Sequence, residues 1–154
     1  MTAPALDEIV EFTAQLTGGK QLRLSELRGS KIALFFYPKA NTPGCTQESQ
    51  DFRDLHEEFS RKGVVVLGAS RDGLKAQENF KTRHELPFEL ISDPDEAICR
   101  LFGVIKEKNM YGRKVLGIER STFLIDARGV LRRAWRGVKV KGHAAEVLAA
   151  ADEI

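Results

Sequence analysis

The chain has 154 residues, 42% of them hydrophobic and 30% charged, with a formal net charge of +2. That is the composition of an ordinary globular chain with enough length for a real core, expected as one domain over residues 1–154. It excludes the strongly basic signature of a nucleic-acid binder, and the apolar runs are far too short to cross a membrane.

The opening stretch, Met1-Thr2-Ala3-Pro4-Ala5-Leu6-Asp7-Glu8, has no basic region and no apolar core, unlike a secretory signal. Residues 9–17 alternate loosely and residues 20–24 alternate again, with Gly18-Gly19 between them as a hairpin turn. Ser25 to Gly29 reads as a short helical turn. Lys31 to Tyr37 is almost continuously apolar, the pattern of a strand buried on both faces.

Pro38 stops that strand, and a helix-start signal follows. Thr42 is a good N-cap and Pro43 suits the first helical position. One helix is predicted over 43–61. Phe52, Leu55 and Phe59 share its apolar face, with Glu48 on that face and Gln50 pointing away. Val64 to Ala69 is a second buried strand, Leu74 to His84 a helix, and Phe88 to Ile91 a short strand. Asp93-Pro94-Asp95-Glu96 predicts another helix start, with Ala97, Ile98, Leu101 and Phe102 as the apolar face and Cys99 off it. Residues 104–117 show no clear period and read as a long loop. Ser121 to Asp126 and Val130 to Arg136 form a hairpin around Ala127-Arg128-Gly129, and a last helix runs over 142–154. The order predicts an α/β fold with a mixed central sheet.

Two cysteines, Cys45 and Cys99, are too few for a disulfide framework or a four-thiolate zinc site. Free thiols in a reducing, cytoplasmic setting are the expectation. Cys45 falls at the third helical position, among unpaired N–H groups and at the positive end of the helix dipole. Both favour a thiolate, the nucleophilic form. By position alone, Cys45 is equally well a small buried apolar residue. His56 lies too far along the helix to serve Cys45 as a base, and His84 sits among charges. The absence of a C-x-x-C pair argues against dithiol exchange. The basic run Arg132 to Arg136, with Lys139 and Lys141, reads as an exposed face of the last hairpin.

Pro38, Thr42 and Cys45 form P-x-x-x-T-x-x-C, continued as Thr42-Pro43-Gly44-Cys45-Thr46-Gln47-Glu48. With Glu119-Arg120-Ser121-Thr122-Phe123-Leu124-Ile125-Asp126 and Lys139-Val140-Lys141-Gly142-His143, the chain resembles the peroxiredoxins of the bacterioferritin-comigratory-protein, or Q-type, group. The resemblance implies a thioredoxin-like fold and a thiol-dependent peroxidase for hydrogen peroxide and organic hydroperoxides, acting in antioxidant defence. It implies no metal, flavin or haem, and a monomer or weak dimer. Electrons would come from thioredoxin or a glutathione/glutaredoxin system. In what resembles that site, Cys45 would be the peroxidatic cysteine, oxidised to a sulfenic acid. Arg120 would hold the thiolate charged and bind the peroxide. Thr42 would align the peroxide and Pro38 would shield the sulfur. Glu48 is the natural partner to orient Arg120, although a helix glutamate is also commonly solvated.

The resolving cysteine expected of many members stands five residues after the first or in the next helix. Here those places hold Gln50 and the stretch Phe80-Lys81-Thr82. Either Cys99 resolves the sulfenic acid or an external thiol reduces a one-cysteine enzyme, and the position of Cys99 slightly favours the latter. A peroxide sensor using Cys45 stoichiometrically on the same fold is the alternative.

Overall fold

The apolar run that ends at Pro38 becomes an interior strand of the sheet. In the computed structural model, which describes residues 5–154, this run forms β3 (Lys31–Phe36), with every residue from Ile32 to Tyr37 buried. Four residues of the stretch that lacks a secretory signature, Met1 to Pro4, lie outside the described residues.

The other sheet strands are β1 (Thr13–Leu16), β2 (Lys20–Arg23), β4 (Val64–Ser70), β5 (Glu89–Ser92), β8 (Ser121–Ile125) and β9 (Leu131–Arg136). They lie in the order β2-β1-β5-β4-β3-β8-β9. β3, β4 and β5 run parallel, and antiparallel pairs complete the two sides. This is the mixed sheet that the element order predicts.

Side chains alternate along β3, so the sheet has two separate apolar faces. Ile32, Leu34 and Phe36 face a cluster with Phe12, Cys99, Phe102 and Phe123. Ala33, Phe35 and Tyr37 face the other, with Cys45, Phe52, Phe59, Phe80 and Val147. Phe35 and Phe52 stack with centroids 4.5 Å apart, pinning α1 (Pro43–Asp54) to the sheet.

Several local expectations give way to tertiary context. The single helix over 43–61 comes as α1 and α2 (His56–Arg61), because Leu55 leaves helical geometry at φ −98°, ψ 2°. The apolar stripe runs through the break, so periodicity does not register it. α3 (Leu74–Arg83) forms as expected. The last helix is α5 (His143–Ala150) followed by a 3-10 turn over Ala151–Glu153.

Residues 104–117 are not a loop. They contain β6 (Ile105–Met110) and β7 (Arg113–Ile118), a two-stranded hairpin outside the main sheet. Both outer parts face solvent, which removes the alternation that marks a half-buried strand. At the turn Tyr111 and Gly112 both take positive φ, 54° and 79°, as a two-residue hairpin turn demands. Tyr111 stands 100% exposed at its tip.

The predicted start of α4 also moves. The helix spans Ala97–Leu101, preceded by Glu96 in the left-handed region at φ 66°. Asp93 still caps it, from outside: its carboxylate accepts the backbone N–H groups of Ile98 at 3.1 Å and Cys99 at 2.7 Å. Cys99, expected off the apolar face, is 0% exposed. Ala97, expected on the apolar face, is exposed with Arg100, so the buried side of this one-turn helix is Ile98 and Cys99, the two residues whose N–H groups Asp93 holds.

Asp93→Ala should lower stability by about 1–3 kcal/mol, since it strands two buried N–H groups. Urea unfolding followed by circular dichroism should show a lower midpoint with an unchanged slope.

Candidate active site

Cys45 is the third residue of α1, as the Thr42-Pro43 signal predicts, and it is 1% exposed. Thr42 takes the extended backbone of an N-cap, but its side chain does not cap the helix. Its hydroxyl instead donates to the Lys39 carbonyl at 2.8 Å. The N–H groups of Gly44 and Cys45 therefore stay unspent at the helix start.

The connection from β3 to α1 is tied down by residues that periodicity does not mark. Tyr37 N–H donates to Ala69 O at 3.0 Å, and its hydroxyl donates to Gln77 Oε1 at 2.6 Å. Ala40 N–H donates to Asp72 Oδ2 at 2.8 Å. Asp72 is itself set by Ser70, whose hydroxyl accepts the Asp72 N–H at 3.2 Å. A Ser-x-Asp just past a strand is the visible trace of such a turn. Pro38 lies half-buried between Tyr37 and this anchored loop.

Arg120 immediately precedes β8, the antiparallel neighbour of β3, where Phe36 pairs with Ser121. This register brings its guanidinium to the start of α1. Arg120 Nη2 donates to Cys45 Sγ at 3.4 Å, and Nη1 donates to Glu48 Oε1 at 2.7 Å. Glu48, one turn past Cys45, is 1% exposed and is paired, not solvated. Burial pushes the Glu48 carboxyl up to about 7, against the opposing pull of Arg120. Its Oε2 is buried with no hydrogen-bond partner among the described residues. Burial disfavours the Arg120 charge, but Glu48 and Cys45 outweigh it and raise Arg120 above its usual value.

Behind the site, His143 links α5 to β8. Its Nε2 is 2.7 Å from Thr122 Oγ1 and its Nδ1 is 3.3 Å from Glu146. The ring stands edge-on between Phe52 and Trp135. Burial lowers its affinity for a proton. The Gly142-His143 pair before a helix was the only sequence trace of this contact.

Pro38, Thr42, Cys45, Glu48 and Arg120 thus gather at one end of β3, whereas Cys99 does not join them. Cys45 packs in the cluster on one face of the sheet, Cys99 in the cluster on the other. Burial, reinforced by Asp93, pushes the Cys99 thiol far above its ordinary range.

Residues 5–134 match the model of the AhpC/TSA family. The chain belongs to the AhpC/TSA family of peroxiredoxins. It is 54% identical over 140 residues to Peroxiredoxin Bcp of Xanthomonas campestris, covering 91% of this chain and 88% of the relative. It is 48% identical to Peroxiredoxin Bcp of Bacillus subtilis, covering 84% and 83%. Among solved structures, Peroxiredoxin Q of Xanthomonas campestris superposes with a TM-score of 0.88 at 51% identity, covering 92% of this chain and 90% of that one. A Xylella fastidiosa PrxQ mutant superposes at 0.93 with 39% identity, covering 99% and 98%. The thioredoxin-like peroxiredoxin fold and the Q-type grouping follow, and a peroxiredoxin is a thiol-dependent peroxidase. Among the described residues no helix is long and apolar enough to cross a membrane.

The raised Glu48 carboxyl predicts a pH signature. Between its ordinary value of 4.5 and about 7, the folded protein keeps a proton that the unfolded chain has lost. Stability is therefore lost as pH rises through that window. The loss should amount to about 3 kcal/mol and should disappear in Glu48→Gln. Chemical denaturation at a series of pH values compares the two; parallel curves would contradict the assignment.

Proposed function

We propose that Cys45 is the peroxidatic nucleophile, reducing hydrogen peroxide and organic hydroperoxides in antioxidant defence. The observation that carries this reading is the Arg120 guanidinium bonded at once to Cys45 Sγ and Glu48 at the start of α1. The thiolate sulfur attacks one peroxide oxygen, the S–O bond forms as the O–O bond breaks, and water or an alcohol leaves. Arg120 Nη2 stabilises the charge moving from sulfur to oxygen. The Thr42 hydroxyl, already donating to Lys39 O, has its oxygen free to accept from the peroxide O–H. Pro38 shields the sulfur from bulk water, and Glu48 orients Arg120.

The second half of the cycle is proposed as one-cysteine. The sheet between Cys45 and Cys99, and the reluctance of the buried Cys99 thiol to ionise, both speak against a disulfide within the chain. An external thiol, from thioredoxin or a glutathione/glutaredoxin system, then reduces the sulfenic acid. Cys45 is so buried that the first turn of α1 must unwind for the two sulfurs to meet. The protein acts as a monomer or weak dimer in the reducing cytoplasm. One relative, the Xanthomonas campestris bacterioferritin comigratory protein, is described with alkyl peroxide reduction activity. That favours turnover over stoichiometric sensing.

Cys45→Ser should abolish steady-state peroxide consumption with thioredoxin and its reductase. Arg120→Met should slow the reaction with peroxide by on the order of 100- to 1,000-fold. Consumption of a single equivalent by the native chain would favour sensing.

Mass spectrometry after one equivalent of peroxide should find a sulfenic acid at Cys45. Cys99→Ser should keep its turnover. A quantitative Cys45–Cys99 disulfide would sink the one-cysteine cycle.

A further inference from the structure

We propose that Glu48 carries a proton while Cys45 is a thiolate and gives that proton up as Cys45 becomes a sulfenic acid. This rests on the peroxidase reading above and concerns how the site keeps its charge balanced through the reaction.

The geometry places one guanidinium between two groups that can each be anionic. Arg120 reaches Cys45 Sγ at 3.4 Å and Glu48 Oε1 at 2.7 Å, and the Arg120 side chain is only 16% exposed. Cys45 and Glu48 are each 1% exposed. If both were ionised, the buried cluster would hold an uncompensated negative charge, which low-dielectric surroundings penalise heavily. Glu48 Oε2, buried and without a partner among the described residues, is the atom on which the proton resides.

The surrounding groups leave this balance to Arg120. Burial and Asp51, on the same helix, both favour the neutral carboxyl, and Arg120 opposes them. The sheet under α1 presents Tyr37, kept neutral by burial, with its hydroxyl committed to Gln77. From α5, the His143 ring is taken up by Thr122 and Glu146.

The reaction then balances inside the protein. The thiolate is oxidised by two electrons as it takes the peroxide oxygen, whose hydrogen stays on the sulfenic acid. The leaving oxygen is reduced and gains one proton, while Glu48 loses one. The cluster begins as guanidinium, thiolate and carboxylic acid. It ends as guanidinium, sulfenic acid and carboxylate, with the same net charge. Glu48 is thereby a positioning residue that also sets the proton stoichiometry of oxidation.

The test is proton counting. Reduced protein near pH 6, where the Glu48 carboxyl is almost fully protonated, is mixed in weak buffer and pH indicator with one equivalent of hydrogen peroxide, and sulfenic acid at Cys45 is quantified by mass spectrometry. The native chain should take up close to no protons per sulfenic acid formed, and Glu48→Gln should take up close to one. Equal uptake by the two overturns the proposal. A second measurement needs no variant. The infrared difference spectrum of the native chain should lose a protonated-carboxyl stretch on oxidation and gain a carboxylate, and an unchanged carboxyl region overturns it. Failure to find any sulfenic acid at Cys45 would instead remove the peroxidase reading beneath it, a result distinct from altered proton counts.

Discussion

The contact that the site depends on is Arg120 standing between Cys45 and Glu48. It joins residues far apart in the chain, and it replaces much of the water that the sulfur and the carboxyl group would otherwise need. Changing the charge on either Cys45 or Glu48 changes the electrostatics of the other, because one cation bonds to both. The site is therefore a single electrical unit of three side chains, and Cys45 is best understood as one member of it.

The fold delivers this unit through strand order. β3 is an interior strand, flanked by β4 and β8, so the chain leaving it must turn within the rim of the sheet. α1 begins there, with Thr42 extended and Pro43 first, so Cys45 sits in the opening turn. β8 runs antiparallel beside β3, which sets Arg120 at the same end. Phe35 stacked on Phe52, and His143 held to Thr122, then fix α1 and α5 against the same face. Ion pairing at such depth needs rigid surroundings, since misalignment leaves desolvated charge unpaired.

Burial also sets the dynamic demand on the protein. In the proposed cycle this enclosed sulfur has to meet first a small peroxide and then a bulkier second thiol. The bonds holding the first turn are few: Thr42 spends its hydroxyl on Lys39, not on the helix, and Pro43 has no N–H. Cys99 lies under the opposite face, in α4, with its N–H bonded to Asp93.

Much was determined by the sequence itself. The buried run ending at Pro38, the helix start at Thr42-Pro43 and the place of Cys45 in the first turn all follow from capping and strand patterns. These are short-range rules written in adjacent residues. The downstream Arg120 and the P-x-x-x-T-x-x-C spacing carried the family. Tertiary structure alone decided that Arg120 touches Cys45 and that Glu48 is buried with one oxygen unpartnered. It alone decided that Cys99 lies beyond the sheet and that residues 105–118 form a solvated hairpin. Those outcomes depend on strand order, register and which face each element covers. Residues separated by most of the chain set these, and no local period records them.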